Sequence, residues 1–544
     1  MSTLSNVLSD LLPPTAASSW LAIFITAALL THIAPYLYDA HGIRTLPGPF
    51  IAKFSDFWLG WAAGTRHRSE IIHEAHHTYG TFVRIAPNHT SIASPEALQT
   101  VYAHGNGVLK TNFYDAFVSA SLGRALFNIR GRSDHSRKRK MAAHAFSSKS
   151  VAGFEPYIRV HVEKFAAWWD SMCAMAAKGM SGTDGKGGWT GRDGRLWLDC
   201  LPCKLVSFAS LPGDLITGAP FGMLDAASDS APIAVSHMDA MNAYGEKMCE
   251  TDTTSASEIF INRGEVASTL GVLPPWTRPL LRKLPWFNGG KLAIQNLSGL
   301  SVAAVARRLA DTQTDRPDLL TRLQEGRDEE GNPLTRAELT SEASSQLTPG
   351  CETISNTACA TIYYLARDRR IQIKLQKELD AALSTSEDVV PAFELIKRLP
   401  YLEAVIQETF RVHSTASLGL PRVIPEGGLV VLGKAFPEGA IVSVPTYTIH
   451  RDKEVWGEDA DEFRPERWFE RDREAMSKAY NPFSTGPRAC LGRNLAVMEL
   501  QILLAVIFWR FDMVLEAPEM PLKTREGFLR KPYGCMVGIQ RRNA

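Results

Sequence analysis

Net charge is nearly missing from this chain. Its 59 lysines and arginines face 58 aspartates and glutamates, a formal charge of +1, and that balance argues against nucleic acid as the main partner. Cysteine is sparse: eight residues, at 173, 200, 203, 249, 351, 359, 490 and 535, with no repeating spacing. Cys200 and Cys203 form a C-x-x-C without a second pair, so neither a zinc ribbon nor a disulfide framework is expected. No internal repeat is visible, and no βαβ unit opens on a phosphate-binding glycine loop. A nicotinamide or flavin site within the chain is therefore not expected, and electrons for any redox chemistry must come from another protein. One His-Glu-x-x-His occurs, His73-Glu74-Ala-His-His77, but no glycine-spaced third histidine follows it. A polar first helix accounts for it better than a zinc hydrolase does.

What is present begins with an apolar run. Trp20 to Leu37 is almost free of charge and would span about 27 Å as a helix, close to bilayer thickness. Thr26, Thr31, His32 and Pro35 dilute it. Asp10 is the only charged side chain before it, whereas Arg44, Lys53, Arg66 and Arg68 follow. That asymmetry predicts a signal anchor with the large C-terminal part on the cytoplasmic side. A cleaved leader would need a positive n-region, which is missing. The expected division is an N-terminal segment 1–19, a transmembrane anchor 20–38, a proline-rich linker 39–49 containing Leu46-Pro47-Gly48-Pro49, and a catalytic domain 50–544.

Hydrophobic residues make up 45% of the chain, ample for a large core. Residues 81–94 read as strand, turn and strand. Helical periodicity dominates from Ser94 to about Ala177 and resumes over Gly290–Asp311, Thr335–Arg367, Arg369–Leu383 and Tyr401–Val412. Gly179 to Gly194 is glycine-rich and polar and reads as a surface loop. Val430 to Val444 alternates with turn residues, as a second small sheet would. The fold class is mainly α with small antiparallel β-sheets.

The chemistry concentrates near the C-terminus, in Phe483-Ser-Thr-Gly-Pro-Arg-Ala-Cys490-Leu-Gly492. One cysteine sits in a glycine-flanked turn with Arg488 two residues before it and a helical pattern directly behind. A lone cysteine makes no structural zinc site. Such a turn can present one thiolate to one large cofactor, with Gly486 and Gly492 letting the backbone approach a flat ligand. The following helix start favours the ionised sulfur, and Arg488 is placed to meet a carboxylate. A buried structural cysteine is the ordinary alternative.

The pattern Phe-x-x-Gly-x-Arg-x-Cys-x-Gly closely resembles the haem-ligand signature of the cytochrome P-450 family, matched at each of its fixed positions, Phe483, Gly486, Arg488, Cys490 and Gly492. The resemblance extends over roughly residues 39 to 542. It implies haem b (iron protoporphyrin IX) on Cys490 as axial iron ligand, and the cytochrome P-450 fold. Glu408-x-x-Arg411 and Phe463-Arg-Pro-Glu-Arg467-Trp match the family's supporting triad, Glu408, Arg411 and Arg467. His135, Arg139, Arg422 and Arg488 fall where family members bind haem propionates, and arginine suits that task through its planar fork. For the rest of the basic run, Arg137, Lys138 and Lys140, a solvated face or a docking surface for an acidic partner is expected. The oxygen-binding helix reads Pro349-Gly350-Cys351-Glu352-Thr353-Ile354. Glu352 and Thr353 match the acid–alcohol pair that relays protons, while Pro349 and Ile354 depart from the pattern, and an interior proline ordinarily costs about 3 kcal/mol.

Among microsomal fungal members, the chain looks most like the benzoate para-hydroxylases. Lys110-Thr-Asn-Phe-Tyr-Asp-Ala-Phe117, Arg263 to Leu270, His413 to Arg422 and Gly527 to Pro532 carry that likeness; Ser207 to Asp214, before Gly218-Ala-Pro-Phe-Gly222, departs from it. The implied activity is hydroxylation of benzoate to 4-hydroxybenzoate. It would use O2 and NADPH-derived electrons from NADPH-cytochrome P-450 reductase, with cytochrome b5 as a second donor, at the endoplasmic reticulum membrane. Lys110, Tyr114, Phe117, Gly350, Leu418, Leu420 and Phe528 are the expected pocket residues. Partners for a buried carboxylate are sought in the Lys110–Phe117 stretch and at Ser414, Thr415 and Ser417. Other aromatic or phenylpropanoid substrates are the alternative. So is a haem-thiolate protein that no longer activates oxygen.

Overall fold

The apolar N-terminal run forms one helix, α1 (Pro14–Tyr38), in the computed structural model. The model describes residues 14–119, 122–184, 187–200, 213–218, 230–244, 250–310 and 318–542. Helix α1 starts ahead of the expected 20–38 span: Pro14 occupies its first position, where proline is tolerated, and alanines and serines follow. Trp20 and Leu37 are 62% and 61% exposed. The stretch Ser18–Tyr38, with a mean hydropathy of 1.7, is long and apolar enough to cross a membrane. Residues 1–13 of the expected N-terminal segment lie outside the described residues, as do Cys203, Cys249, Ser207 to Leu211 with Pro212, and Ala219 to Gly222. The 39–49 segment is docked on the globule rather than free. The Pro47 carbonyl accepts a hydrogen bond from Arg84 N at 2.8 Å, and Ile43 and Leu46 are buried beside Val431 and Phe436.

Among the described residues, two five-stranded sheets and three two-stranded pairs flank the helices. The first sheet runs in the order β1 (Phe82–Ala86), β2 (His89–Ile92), β12 (Ile441–Ser443), β9 (Arg422–Val423) and β3 (Leu109–Lys110). Its β12–β2 pair is parallel, so this sheet is mixed rather than purely antiparallel, because the chain returns to it only after the whole helical core. Strands β10 (Leu429–Val431) and β11 (Lys434–Phe436) form a hairpin. The second sheet runs β13 (Phe511–Leu515), β16 (Met536–Arg541), β6 (Arg195–Asp199), β5 (Gly187–Arg192) and β4 (Ser181–Asp184). Pairs β7 (Ser230–Ala234) with β8 (Thr251–Ser255), and β14 (Thr524–Glu526) with β15 (Arg530–Pro532), complete the set.

Strands β4 and β5 overturn the expectation of a surface loop over Gly179–Gly194. Gly191 serves close approach, while Gly179 and Gly194 turn the chain at positive φ. A Cβ on Gly191 would lie 2.5 Å from the Met180 carbonyl oxygen and 2.6 Å from that of Ala176, so only glycine lets this strand press against the preceding helix. Trp189 is buried on the same strand.

The helices that matter for the site are α2 (Phe57–Gly64), α3 (Arg68–Tyr79), α4 (Pro95–Tyr102), α5 (Arg132–Ala143), α6 (Glu155–Ala176), α7 (Ala256–Gly271), α8 (Asn288–Ala310), α9 (Arg336–Arg367), α10 (Arg369–Leu383), α11 (Pro400–Val412) and α12 (Arg493–Arg510). Helix α10 illustrates the packing rule: Ile371, Leu375, Leu379 and Leu383, four apart, bury one stripe. Helix α9 is the central element and packs against α8, α11 and α12. Its start is set by a capping box in which Thr335 Oγ1 accepts from Glu338 N at 3.2 Å and Glu338 Oε2 accepts from Thr335 N at 3.0 Å. The helix continues through Pro349 without a break.

Candidate functional site

The turn around Cys490 is built by local chemistry. Cys490 N donates to the Phe483 carbonyl at 2.8 Å, closing the loop on itself. Ser484 and Gly486 take positive φ values of 58° and 71°. A Cβ on Gly486 would sit 1.8 Å from the Tyr102 carbonyl oxygen at the end of α4. Backbone conformation and protein packing therefore already require glycine at 486. Gly492 differs. It caps α12 at φ −83°, and an added Cβ would meet only Phe146 at 3.9 Å, so the protein itself makes no demand for glycine there. Phe483 packs edge-on against Phe410, with ring centroids 5.0 Å apart.

The Cys490 side chain is exposed by surface area, yet burial still raises its thiol pKa above the ordinary value. The Gly492 backbone N–H, Arg139 and Arg493 act in the opposite direction. A thiol both accessible and desolvated lines an internal surface rather than the exterior.

Five basic side chains gather beside this turn: Lys110 on β3, His135 and Arg139 on α5, Arg422 on β9, and Arg488. Arg139 Nη1 donates to the Ala489 carbonyl at 2.9 Å. Arg488 donates to the carbonyls of Ile129, Arg130 and Gly131 at 2.9–3.1 Å. Arg422 donates to Tyr114 Oη at 2.9 Å, and Lys110 Nζ donates to the Phe127 carbonyl. Burial, and then the other four cations, push the His135 imidazole down to about 3. Burial and then Arg422 are the leading causes that bring Arg488 down to about 10. Lys110 is held well below its ordinary value by burial, then by Arg422, Arg488 and Arg139. Among the described residues none of the five is in ion-pair contact with a carboxylate. Such a group is a receptor for anions. It also moves Lys110 and Tyr114 from the expected pocket wall into this cationic set.

The rest of the basic run on α5 turns out to be internally paired. Arg137 binds Glu338, Lys140 binds Glu329, and Lys138, 5% exposed, lies 3.4 Å from Glu342. The expected solvated or docking face is thus largely neutralised by the chain's own acids.

Helix α9 is buried along most of its length, but Gln346, Pro349, Gly350 and Thr353 keep accessible surface. Spaced at i, i+3, i+4 and i+7, they share one face. Pro349 removes the ladder bond that residue 349 would donate to Ser345, and it does so on this accessible face. Thr353 Oγ1 donates to the Pro349 carbonyl at 2.7 Å. Glu352 points elsewhere: it is buried and paired with Lys531 on β15, Nζ to Oε1 3.1 Å. Burial raises the Glu352 pKa, and Lys531 and then Arg263 counter part of that rise. Reading along the sequence missed Lys531, because the pair spans 179 residues and no spacing rule reports it. It also missed Glu499 on α12, which burial alone pushes up to about 8.

Glu408 and Arg411 on α11 and Arg467 form one fully buried set. Glu408 Oε1 accepts from Arg411 Nη2 and Arg467 Nε, both at 2.8 Å. Phe117, Phe127 and Phe528 form an aromatic cluster with Phe113, with centroid distances of 5.1–6.4 Å. Leu418 is buried, and Leu420 packs against the Ile43–Phe436 cluster instead of these rings. Ser417 donates to the Ser414 carbonyl, and Thr415 Oγ1 lies 3.3 Å from Thr357 Oγ1, so both already have partners within the protein.

The two distractors separate from this site. His73 and His77 contact each other on α3, Nε2 to Nε2 3.0 Å, and no third ligand joins them among the described residues. Cys200, Cys359 and Cys535 form a buried group with sulfurs within 4.8 Å of one another. Hydrogen bonds to Cys200 and Cys535, and then burial, raise the Cys359 thiol pKa, and the trio does not include Cys490.

Comparison with known proteins agrees with this arrangement. The family model for cytochrome P-450 matches residues 241–539. Benzoate 4-monooxygenase bphA of Aspergillus niger is 44% identical over 544 residues, covering 98% of this chain and 99% of that protein. Cytochrome P-450 monooxygenase ORF11 of Penicillium roqueforti is 30% identical over 513 residues, covering 93% and 96%.

Proposed function

The chain belongs to the cytochrome P-450 family, a monooxygenase, and from that premise we propose that it hydroxylates a small aromatic acid, converting benzoate to 4-hydroxybenzoate. The observation that carries this reading is the 44% identity over 98% of the chain to a benzoate 4-monooxygenase. The donor set around Cys490 fits the haem that the family implies. One thiol at a helix start suits an axial iron ligand. His135, Arg139, Arg422 and Arg488, joined by Lys110, suit two propionates. Bound haem supplies the iron at which dioxygen is activated; the rest is the work of side chains.

Thr353 holds a proton on Oγ1, in a hydrogen bond to the Pro349 carbonyl on the accessible face of α9. Glu352, raised by burial, keeps its proton to a higher pH than a free carboxyl does; because its side chain faces Lys531, it can replenish Thr353 only through an intervening proton carrier. Because the active form is then the protonated acid, activity falls as pH rises through the Glu352 pKa. Lys531 favours the carboxylate. In Lys531→Met that influence is gone, and the alkaline limb of the kcat–pH profile moves to higher pH. An unmoved limb removes Glu352 from the proton path.

The electrons are assigned to a separate NADPH-dependent reductase. We assign the chain to the endoplasmic reticulum membrane as a single-pass protein with its catalytic domain, residues 50–544, in the cytoplasm. Helix α1 supports this with its exposed apolar surface, as do Arg44 and Lys53 directly behind it. Phe50, Phe57 and Trp61 extend the apolar surface onto the globule, being 74%, 64% and 50% exposed.

Reconstitution tests the activity. Purified haem-loaded protein with reductase, NADPH and benzoate is expected to form 4-hydroxybenzoate in proportion to oxygen consumed, read by liquid chromatography. A haem spectral shift on adding benzoate, without oxygen-dependent product, overturns the monooxygenase reading for this substrate.

A further inference from the structure

A carboxylate taken out of water needs a matched cation. Among the described residues, Arg68, buried over the Phe113 ring, leaves Nε and Nη1 without a hydrogen-bond partner and has the Glu526 carboxylate as its counter-charge, and other cations near the aromatic cluster are committed. Lys531 is paired with Glu352 and Arg530 with Glu70. Lys110, Arg422 and Arg488 belong to the group beside Cys490. Arg263 on α7 is different. Its Nη1 donates to Thr348 Oγ1 at 3.2 Å and its Nη2 to the Phe117 carbonyl at 3.3 Å. Both acceptors are neutral, and both distances exceed the 2.7–2.9 Å typical of charge-assisted bonds. Among the described residues no carboxylate lies within ion-pair distance of it. Arg263 keeps some accessible surface, yet burial lowers its pKa, with Glu352 as the only counteracting charge. Like Cys490, it lines an internal surface.

Its surroundings have the shape of an aryl acid. Arg263 and Ala267 are four apart on one face of α7, and Ala267 is buried among Phe113, Tyr114 and Phe117, with Phe127 and Phe528 packed alongside. The Phe117 ring lies 5.2 Å from Phe528 and 5.5 Å from Phe127. Thr348, which Arg263 touches, precedes Thr353 by five residues, about 7.5 Å along the axis of α9 and about 140° around it. Arg263 thus meets α9 more than one turn before the oxygen-side threonine.

We propose that Arg263 is the carboxylate anchor of the substrate site. Its guanidinium receives an aryl carboxylate in a two-pronged contact, with the ring against Phe117 and Phe528 and the para carbon directed toward Thr353. The anchor rests on the aromatic-acid reading above and adds to it a physical basis for para selectivity. An acid held by its carboxylate presents its para carbon as the ring position farthest from the anchor.

Equilibrium binding to the haem-loaded protein tests this without turnover. Benzoate and its neutral analogue methyl benzoate are titrated calorimetrically and by haem absorbance into wild type, Arg263→Gln and Arg263→Lys. Wild type is expected to prefer benzoate. Arg263→Gln should weaken benzoate about tenfold to a hundredfold, the worth of a hydrogen-bonded charge, and change methyl benzoate by less than about threefold. Arg263→Lys keeps the charge but loses the planar fork, and should retain a reduced preference for the acid. Haem content and circular dichroism establish that each variant is folded. If Arg263→Gln does not fold, an Arg263→Lys protein that binds benzoate as tightly as wild type overturns the anchor. Wild-type affinity for benzoate in either folded variant does the same while leaving the aromatic-acid reading intact. A wild type that binds methyl benzoate but not benzoate overturns the aromatic-acid reading itself.

Discussion

Cys490→Ser is expected to abolish oxygen-dependent turnover and to remove the thiolate signature from the haem spectrum. The expectation follows from what the turn gives and withholds. Burial raises the Cys490 thiol pKa, so the protein alone does not hold a free thiolate there. Iron must displace the proton, and a thiol yields it to a metal where an alcohol does not. The Gly492 N–H and Arg139 favour the charged sulfur, but neither brings a serine hydroxyl into range. The fold should survive, because the bond that shapes the turn is Cys490 N to the Phe483 carbonyl, which serine reproduces. Haem-to-protein ratio, haem absorbance and circular dichroism on one sample separate the outcomes. A Cys490→Ser protein with an unchanged thiolate spectrum would transfer the ligand role to another cysteine, although Cys173, Cys200, Cys351, Cys359 and Cys535 are all buried.

The chemistry most legible in the sequence is that which is local in the chain. The Phe483–Gly492 turn concentrates its special backbone angles, its arginine and its thiol in ten residues, so its pattern could be read directly. Helix α10 was equally open, since Asp368 caps it and its leucines repeat every four residues. Contacts between distant segments were not legible. Nothing near Lys531 announces Glu352, and nothing near Lys110 announces that its neighbours are cations. Lys110 looked like a partner for a substrate acid because lysine commonly is one; its place on β3 against β9 puts it beside Arg422 instead. Glycine carried more than one message. At 191 it signals tight packing rather than a loop, and at 486 nothing in the sequence announces the Tyr102 carbonyl. Composition reports that a position is small, and only the fold reports what it is small for.

Glu408→Gln and Arg467→Leu are each expected to cost about 3–5 kcal/mol of stability, the penalty for breaking a buried ion pair from one side. Against a typical total of about 5–15 kcal/mol, either loss would leave the protein folded only marginally. The geometry explains why even the isosteric glutamine is so costly. Glu408 Oε1 accepts from Arg411 Nη2, Arg467 Nε and Arg464 N. Its Oε2 accepts from Arg411 Nε and Trp468 Nε1 at 2.9 and 3.0 Å. An amide supplies one oxygen, so whichever way the introduced side chain is turned, its NH2 faces donors. Arg467→Leu strands the Trp456 carbonyl, takes one of two donors from the carbonyls of Asp459 and Glu462, and leaves Glu408 with Arg411 as its only guanidinium partner. The double variant should lose less than the sum of the two single changes, because the second removes a group the first has already left unpaired. Urea unfolding followed by circular dichroism measures all three, and haem release should track the same midpoints, since α11 and α12 pack on each other. Added salt should not close the gap, because ions do not reach a pair with no exposed surface. Lys140→Ala breaks the exposed Lys140–Glu329 pair and should leave the unfolding curve in place. Single variants that unfold at the wild-type midpoint would reduce the triad to a family signature without structural weight in this chain.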